Sequence, residues 1–212
     1  MLTLEIVSDI VCPWCYIGLR RLDAAIDLVR REHPGFSCRK LWRPFFLNPQ
    51  TPPEGEPYLP FLIAKFGSRE AVEALFERVR MAGAAHGLHY AFERIERRAN
   101  TLQAHRLIHW AQQQGDAQAL VERLFEAQFV RGEHVGSMEV LVAAAADCGH
   151  AAEAVRAYLA GDEDVGLVRD MEAAFRRMGV RQVPTFIVGG REVVVGAEDP
   201  ATLAAAILRA GA

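Results

Sequence analysis

The stretch Leu2-Thr3-Leu4-Glu5-Ile6-Val7-Ser8-Asp9-Ile10-Val11-Cys12-Pro13-Trp14-Cys15 decides the fold of this chain. Its opening residues are few, largely apolar and partly alternating, which predicts a strand. Beyond Pro13, the positions Cys15, Leu19, Leu22, Ile26 and Val29 recur at steps of three and four, one stripe of an amphipathic helix. His33-Pro34-Gly35 stops that helix, and Phe36 to Trp42 then alternates as a second strand with Phe36, Cys38 and Trp42 on one face. Strand, helix and strand in this order make a βαβ unit.

The Pro-rich passage Asn48-Pro49-Gln50-Thr51-Pro52-Pro53 is loop chemistry. From residue 58 to 178 the signal is helical almost without pause. Val72, Leu75, Phe76 and Val79 form one stripe, ending near Gly87; Ala104, Leu107, Ile108 and Ala111 form another, with Asn100 or Thr101 as N-cap and Gly115 as the stop. Leu120, Leu124 and Phe125 mark a third helix, Ser137 caps a fourth, and Val168, Met171, Phe175 and Met178 mark the last, closed by Gly179. Thr185–Val188 and Glu192–Val195 flank Gly189-Gly190 as a hairpin, and Asp199-Pro200 opens a C-terminal helix. A lone hairpin is marginal in water, so both sets of strands must share one sheet. The expected fold is α/β with a large all-helical insertion: a first part over residues 1–48, the insertion over 49–163, and a second part over 164–212.

Composition narrows the function classes. Of 212 residues, 51% are apolar and 24% charged, the balance of a globular protein with ample core material. The net charge of −3 is spread through the chain, which leaves no basic patch for nucleic acid and no polybasic segment for a membrane. No apolar run reaches a spanning length, and Glu5 and Asp9 interrupt the N-terminal apolar stretch, so a cytoplasmic protein is expected. Four cysteines are too few for a disulfide framework, while two of them lie in a C-x-x-C.

That pair carries the chemistry. Cys12 falls at the N-cap of the first helix, with Pro13 where a missing N–H is harmless. Unpaired N–H groups and the positive end of the helix dipole favour its thiolate. Cys15 is nearly one turn on, within reach of Cys12. Cys12 is expected to be the exposed attacking sulfur and Cys15 the sheltered resolving one, exchanging disulfides through a mixed disulfide. Structural zinc needs four ligands, and no second C-x-x-C is present, so no metal site is expected. Proline at a strand start, as at Pro184, is ordinary; in this topology it is also where a cis peptide beside the cysteines would fall.

These features together resemble the DsbA family of the thioredoxin superfamily, and its FrnE-like cytoplasmic branch in particular. The segments that carry the likeness are Ser8–Cys15, Trp42–Pro49, Asn100–Leu107 and Gly179–Phe186. The resemblance implies a thioredoxin-like fold, Cys12 as nucleophile, Pro184 as a cis-proline, and a Val183 backbone that pairs with bound peptide or glutathione. It implies no bound cofactor beyond the Cys12–Cys15 pair, with glutathione as a candidate co-substrate and protein or low-molecular-weight disulfides and thiols as partners. Trp14 stands where periplasmic relatives carry histidine, which implies a milder oxidant; aromatic packing at the rim explains Trp14 equally well.

Related kappa-class glutathione transferases and 2-hydroxychromene-2-carboxylate isomerases have serine at the position of Cys12. Their likeness suggests that Asn48 and Glu198 line a glutathione pocket, although Asn48 also reads as a turn residue and Glu198 as a charge before the last helix. A glutathione-dependent isomerase or transferase, or a non-catalytic binding or chaperone module, therefore stands beside the redox reading. Asp9 reads as a strand-end cap or a proton shuttle for Cys15; His105 and His109, four apart on one helix, have a metal-compatible spacing but no third ligand at matching spacing and read as core or cap residues; His86 and His89 read as solvated. Trp42, Phe45, Phe46, Phe61 and Trp110 are candidates for a hydrophobic groove facing the cysteines, but most of them are expected simply in the core. No feature of the sequence sets the oligomeric state.

Overall fold

A computed structural model describes residues 1–211. Strand β1 (Leu2–Ser8) leads into helix α1 (Pro13–Glu32) and strand β2 (Cys38–Pro44), the predicted βαβ unit. The second strand starts and ends two residues later than the alternation suggested. Its register is set by parallel pairing with β1, Leu2 opposite Cys38 and Ile6 opposite Trp42, which leaves Phe36 in the turn. In α1 all five stripe residues are buried, Leu19 and Leu22 completely. Each such aliphatic side chain contributes roughly 1.5–3 kcal/mol of burial. Arg30 and Arg31 in the last turn complement the helix dipole.

The long middle section is helical with interruptions the periodicity did not reveal. A two-residue strand β3 (Glu56–Pro57) precedes α2 (Tyr58–Phe66) and α3 (Arg69–Ala84); a 3₁₀ turn (Phe92–Arg94) then leads to β4 (Arg97–Arg98), which pairs antiparallel with β3. Helices α4 (Leu102–Gln114) and α5 (Gln118–Glu126) follow, and α5 runs into a π turn (Ala127–Arg131). Gly132 ends that turn at φ +71°; a Cβ there would lie 2.5 Å from the Arg94 carbonyl oxygen. Then come α6 (Met138–Asp147), α7 (Ala152–Ala160) and α8 (Val165–Arg177). Asn100 accepts from the Leu102 N–H at the start of α4, while Thr101 and Ser137, at their N-cap positions, make no side-chain cap bond. Met178 leaves the expected stripe and is 71% exposed, because α8 has ended before it.

The hairpin forms as β5 (Thr185–Val188) and β6 (Glu192–Val195), and Asp199 Oδ1 accepts from Ala201 N at the head of α9 (Pro200–Gly211). The sheet order is β2-β1-β5-β6, with β5 antiparallel to β1, so the two ends of the chain share one sheet. Helices α1 and α9 pack together on it, and α8 approaches it from β2. The result is a thioredoxin-like fold with a helical insertion. Ala212, the last residue of the expected third segment, lies outside the described residues.

Candidate active site

Cys12 is the N-cap of α1 in an extended conformation, with Pro13 at the first helical position. No side chain caps this terminus, so the positive end of the helix faces the Cys12 thiol. The Cys12 Sγ–H donates to the Val183 carbonyl at 3.8 Å, which joins the start of α1 to the loop before β5. The Val183–Pro184 peptide is cis. Pro184 is buried, and its carbonyl accepts from Gly196 N at 2.8 Å, fastening the loop to the end of β6. On the other side the loop rests on α1 at Gly18, where a Cβ would sit 2.8 Å from Pro184 Cγ.

Cys12 differs from expectation in one respect: it is only 6% exposed, against 3% for Cys15. The Val183 loop covers it on one side, and on the other it looks into a cavity walled by the helical insertion. Burial pushes the Cys15 thiol well above its ordinary value; hydrogen bonding to Cys12 and charge on Cys12 act in the same direction. The two sulfurs are thus neighbours in which Cys15 keeps its proton.

The cavity has a volume of about 230 Å³. Cys12, Trp14, Asn48, Tyr58, Phe61 and Phe76 are among the residues that line it. Trp14 is half-buried at the rim with the Arg78 guanidinium 5.5 Å from its ring centroid. Asn48 also makes the expected turn, its carbonyl accepting from Thr51 N. Glu198 is exposed just before α9 and does not line the Cys12 cavity.

Several side chains support the motif in ways its local sequence does not announce. Tyr90 Oη donates to the Pro13 carbonyl at 2.8 Å, and burial raises its hydroxyl pKa and keeps it a donor. His105, on α4, faces Asp9 across the site. His86 is part-exposed, and its ring is also held: Arg21 Nε donates to its Nε2 at 3.0 Å, and burial together with Arg21 lowers its pKa. Gln128, on the π turn, lines the cavity with a buried Oε1 that has no partner. Of the aromatic residues expected in the core, Trp42 and Phe45 are there, and Phe61 is on the cavity wall. The signal that was available is a polar residue inside an apolar helical stripe: His105 beside Ala104 and Leu107, Gln128 beside Phe125 and Phe129. Among the described residues, no group of three or more His, Cys, Asp and Glu side chains is placed to hold a metal, and no helix is long and apolar enough to cross a membrane.

A C-x-x-C at the mouth of the first helix, facing a proline loop across a β2-β1-β5-β6 sheet, defines a thioredoxin-superfamily protein. Residues 3–208 match the model of the DSBA-like thioredoxin domain, and the chain belongs to that family. It is similar to the probable DsbA oxidoreductase of Streptomyces coelicolor, 31% identical, with a TM-score of 0.89 over 100% of this chain and 90% of that one. The fold is shared with the cytosolic disulfide reductase DsbM of Pseudomonas aeruginosa, whose structure includes GSH (18% identical, TM-score 0.69, 98% of each chain). It is shared too with a 2-hydroxychromene-2-carboxylate isomerase (15% identical, TM-score 0.70, 98% of this chain and 95% of that one).

Proposed function

We propose that this protein is a thiol–disulfide oxidoreductase or isomerase in which Cys12 and Cys15 are the catalytic pair. The observation that carries the reading is the Cys12 thiol at the head of α1, hydrogen-bonded to the Val183 carbonyl of the cis-proline loop, with buried Cys15 one turn further along the same helix. Cys12, as thiolate, attacks one sulfur of a substrate disulfide and expels the other as a thiol. Cys15 then attacks the Cys12 sulfur, closing the pair and releasing the second thiol, so the substrate gains the two electrons that the pair loses. Pro13 and Trp14 hold the helix mouth, and Pro184 holds the loop whose Val183 backbone offers main-chain pairing to peptide or glutathione. The pair needs no bound cofactor, and a low-molecular-weight thiol such as glutathione restores it. A cytoplasmic setting fits this chemistry, as for the cytosolic DsbM.

The test is turnover of insulin disulfides with a small thiol as reductant. Wild type accelerates precipitation of the insulin B chain, and Cys12→Ser abolishes the effect. Cys15→Ser stalls and accumulates protein trapped on Cys12 when expressed in a host. The apolar cavity beside Cys12 favours a second reading, a glutathione-dependent isomerase or transferase of an apolar compound. That reading requires a single nucleophile, so there Cys15→Ser keeps full activity.

A further inference from the structure

The cavity beside Cys12 is apolar in its walls but one-sided in its charge. Lys65, Arg78 and Arg98 line it, and no Asp or Glu does. Arg98 is held by Glu56 at 2.9 Å and lies 3.6 Å from the Phe61 ring centroid, yet its buried Nε finds no acceptor. Among the described residues, Lys65 and Arg78 have no carboxylate partner; they lie over the rings of Phe61, Phe66 and Trp14. Gln128 is 1% exposed, and its Oε1 has no hydrogen-bond partner. Buried polar groups are almost always paired, so a buried carboxamide oxygen without a partner at a cavity wall marks a place where something else binds. The π turn that carries Gln128 is a distortion found frequently at functional sites.

Helix α2 adds an independent observation. It reads Tyr-Leu-Pro-Phe-Leu-Ile-Ala-Lys-Phe and none of its residues is buried; Phe66 is 44% exposed. The apolar face of this helix is only half-covered: Tyr58 stacks on Phe76, while Tyr58, Phe61 and Leu62 all line the cavity.

We propose that this cavity seats one arm of a small disulfide whose body is apolar, preferably planar, and bears an anionic group, with Lys65 and Arg78 answering the charge and Gln128 Oε1 accepting from a water that bridges to the arm. The proposal rests on the exchange reading and names the substrate class for it. At about 230 Å³ the space is below the range of whole drug-sized ligands, so it takes a single arm, and the second arm projects outward. Cations over aromatic faces and the absence of acids select an anion. The Cys12 thiolate attacks the sulfur of the seated arm, forming the Cys12–arm disulfide and releasing the outer arm as its thiolate. Cys15 loses its proton to solvent and attacks Cys12, the Cys12–arm bond breaks, and the seated arm leaves as a second thiolate. The substrate has gained two electrons, and two equivalents of a small external thiol return them to the pair.

Binding and exchange are tested separately. Full-length Cys12→Ser is titrated with 4-(methylthio)benzoate, an arm that cannot exchange, and with its uncharged counterpart thioanisole. The benzoate is expected to bind more tightly, and Lys65→Gln with Arg78→Gln to weaken it about tenfold while narrowing its advantage over thioanisole. Both positions are exposed, so the fold tolerates these changes, and Gln128→Leu gives an independent reading of the buried amide. Equal binding of the two arms, or no loss in the double variant, overturns the proposal. In parallel, single-turnover reduction of 5,5′-dithiobis(2-nitrobenzoate) is compared with that of 2,2′-dithiodipyridine. Failure of wild type to reduce either disulfide while the benzoate binds counts against the exchange reading and leaves the binding site standing. Reduction of both without selective binding counts against the site alone.

Discussion

Asp9 Oδ1 and His105 Nε2 lie 3.3 Å apart, both buried, joining the exit of β1 to α4 across 96 residues of sequence. The other Asp9 oxygen accepts from Leu47 N at 2.9 Å, and the Asp9 carbonyl accepts from Cys12 N at 3.0 Å. Asp9 therefore ties its carboxylate to the cavity rim and the helical insertion, and its backbone carbonyl to the Cys12 N–H. Leaving a group in such a network unpaired costs about 1–3 kcal/mol. Asp9→Asn and His105→Asn are each expected to lose about that much stability, with a coupling of roughly 0.5–3 kcal/mol in a double-mutant cycle. Urea unfolding measures all four corners, and additive losses would show that the two side chains do not interact.

The Cys15 thiol gives the chain a pH signature. Burial first, then Cys12, holds it well above its ordinary value of 9.0. Above that pH the unfolded chain has released the Cys15 proton while the folded chain still holds it. The stability from neutral Cys15 is therefore complete below about pH 9 and is lost as the pH rises beyond it. Wild type is expected to lose more stability than Cys15→Ala between about pH 8 and pH 10. Parallel urea midpoints for the two proteins across that range would refute the shift.

What could be read in advance followed from local physics. Residues Leu2–Cys15 and Thr185–Val195 form the elements their patterns predict because strand alternation, the Pro13 start and the Gly-Gly turn act over a few residues. The edges of β2 did not follow, since its register comes from pairing with β1. Nor could the burial of Cys12 be foreseen: Val183 and the cavity walls that cover it lie far along the chain. In the Asn100–Leu107 segment the pattern predicted a capped helix, and resemblance alone singled the segment out beyond that. Its physical content, His105 on Asp9 and Arg106 on the end of α7, needs tertiary contacts that no periodicity encodes.

Gly18 separates two opposing effects. Alanine in a helix interior gains about 1 kcal/mol over glycine from propensity alone. Here the added Cβ would meet Pro184 Cγ at 2.8 Å and Phe186 Cζ at 3.1 Å, both on buried residues with little room to give. Overpacking of this kind costs about 1–3 kcal/mol. Gly18→Ala is expected to be destabilising on balance and, by pushing α1 from the Val183 loop, to slow alkylation-sensitive exchange at Cys12. A more stable variant with unchanged Cys12 reactivity would show that α1 and the loop are not in contact.

Arg106 is fully buried and, among the described residues, has no carboxylate within ion-pair distance. Its guanidinium donates to the carbonyls of Tyr158, Leu159 and Glu163 and to Gln103 Oε1, and lies 4.8 Å from the Tyr158 ring centroid. Two of those carbonyls belong to the last turn of α7, where a cation also answers the negative end of the helix dipole. Arg106→Met keeps the aliphatic packing but strips every one of these acceptors of its donor, at about 1–3 kcal/mol for each that water cannot reach. A loss of at least about 3 kcal/mol is expected from urea unfolding, enough to consume much of a typical domain's stability. Arg106→Lys restores the charge with a point donor that cannot span the same carbonyls, so it should recover only part of the loss. Full recovery with lysine would mean that charge at the end of α7, not the forked hydrogen bonding, is what Arg106 supplies.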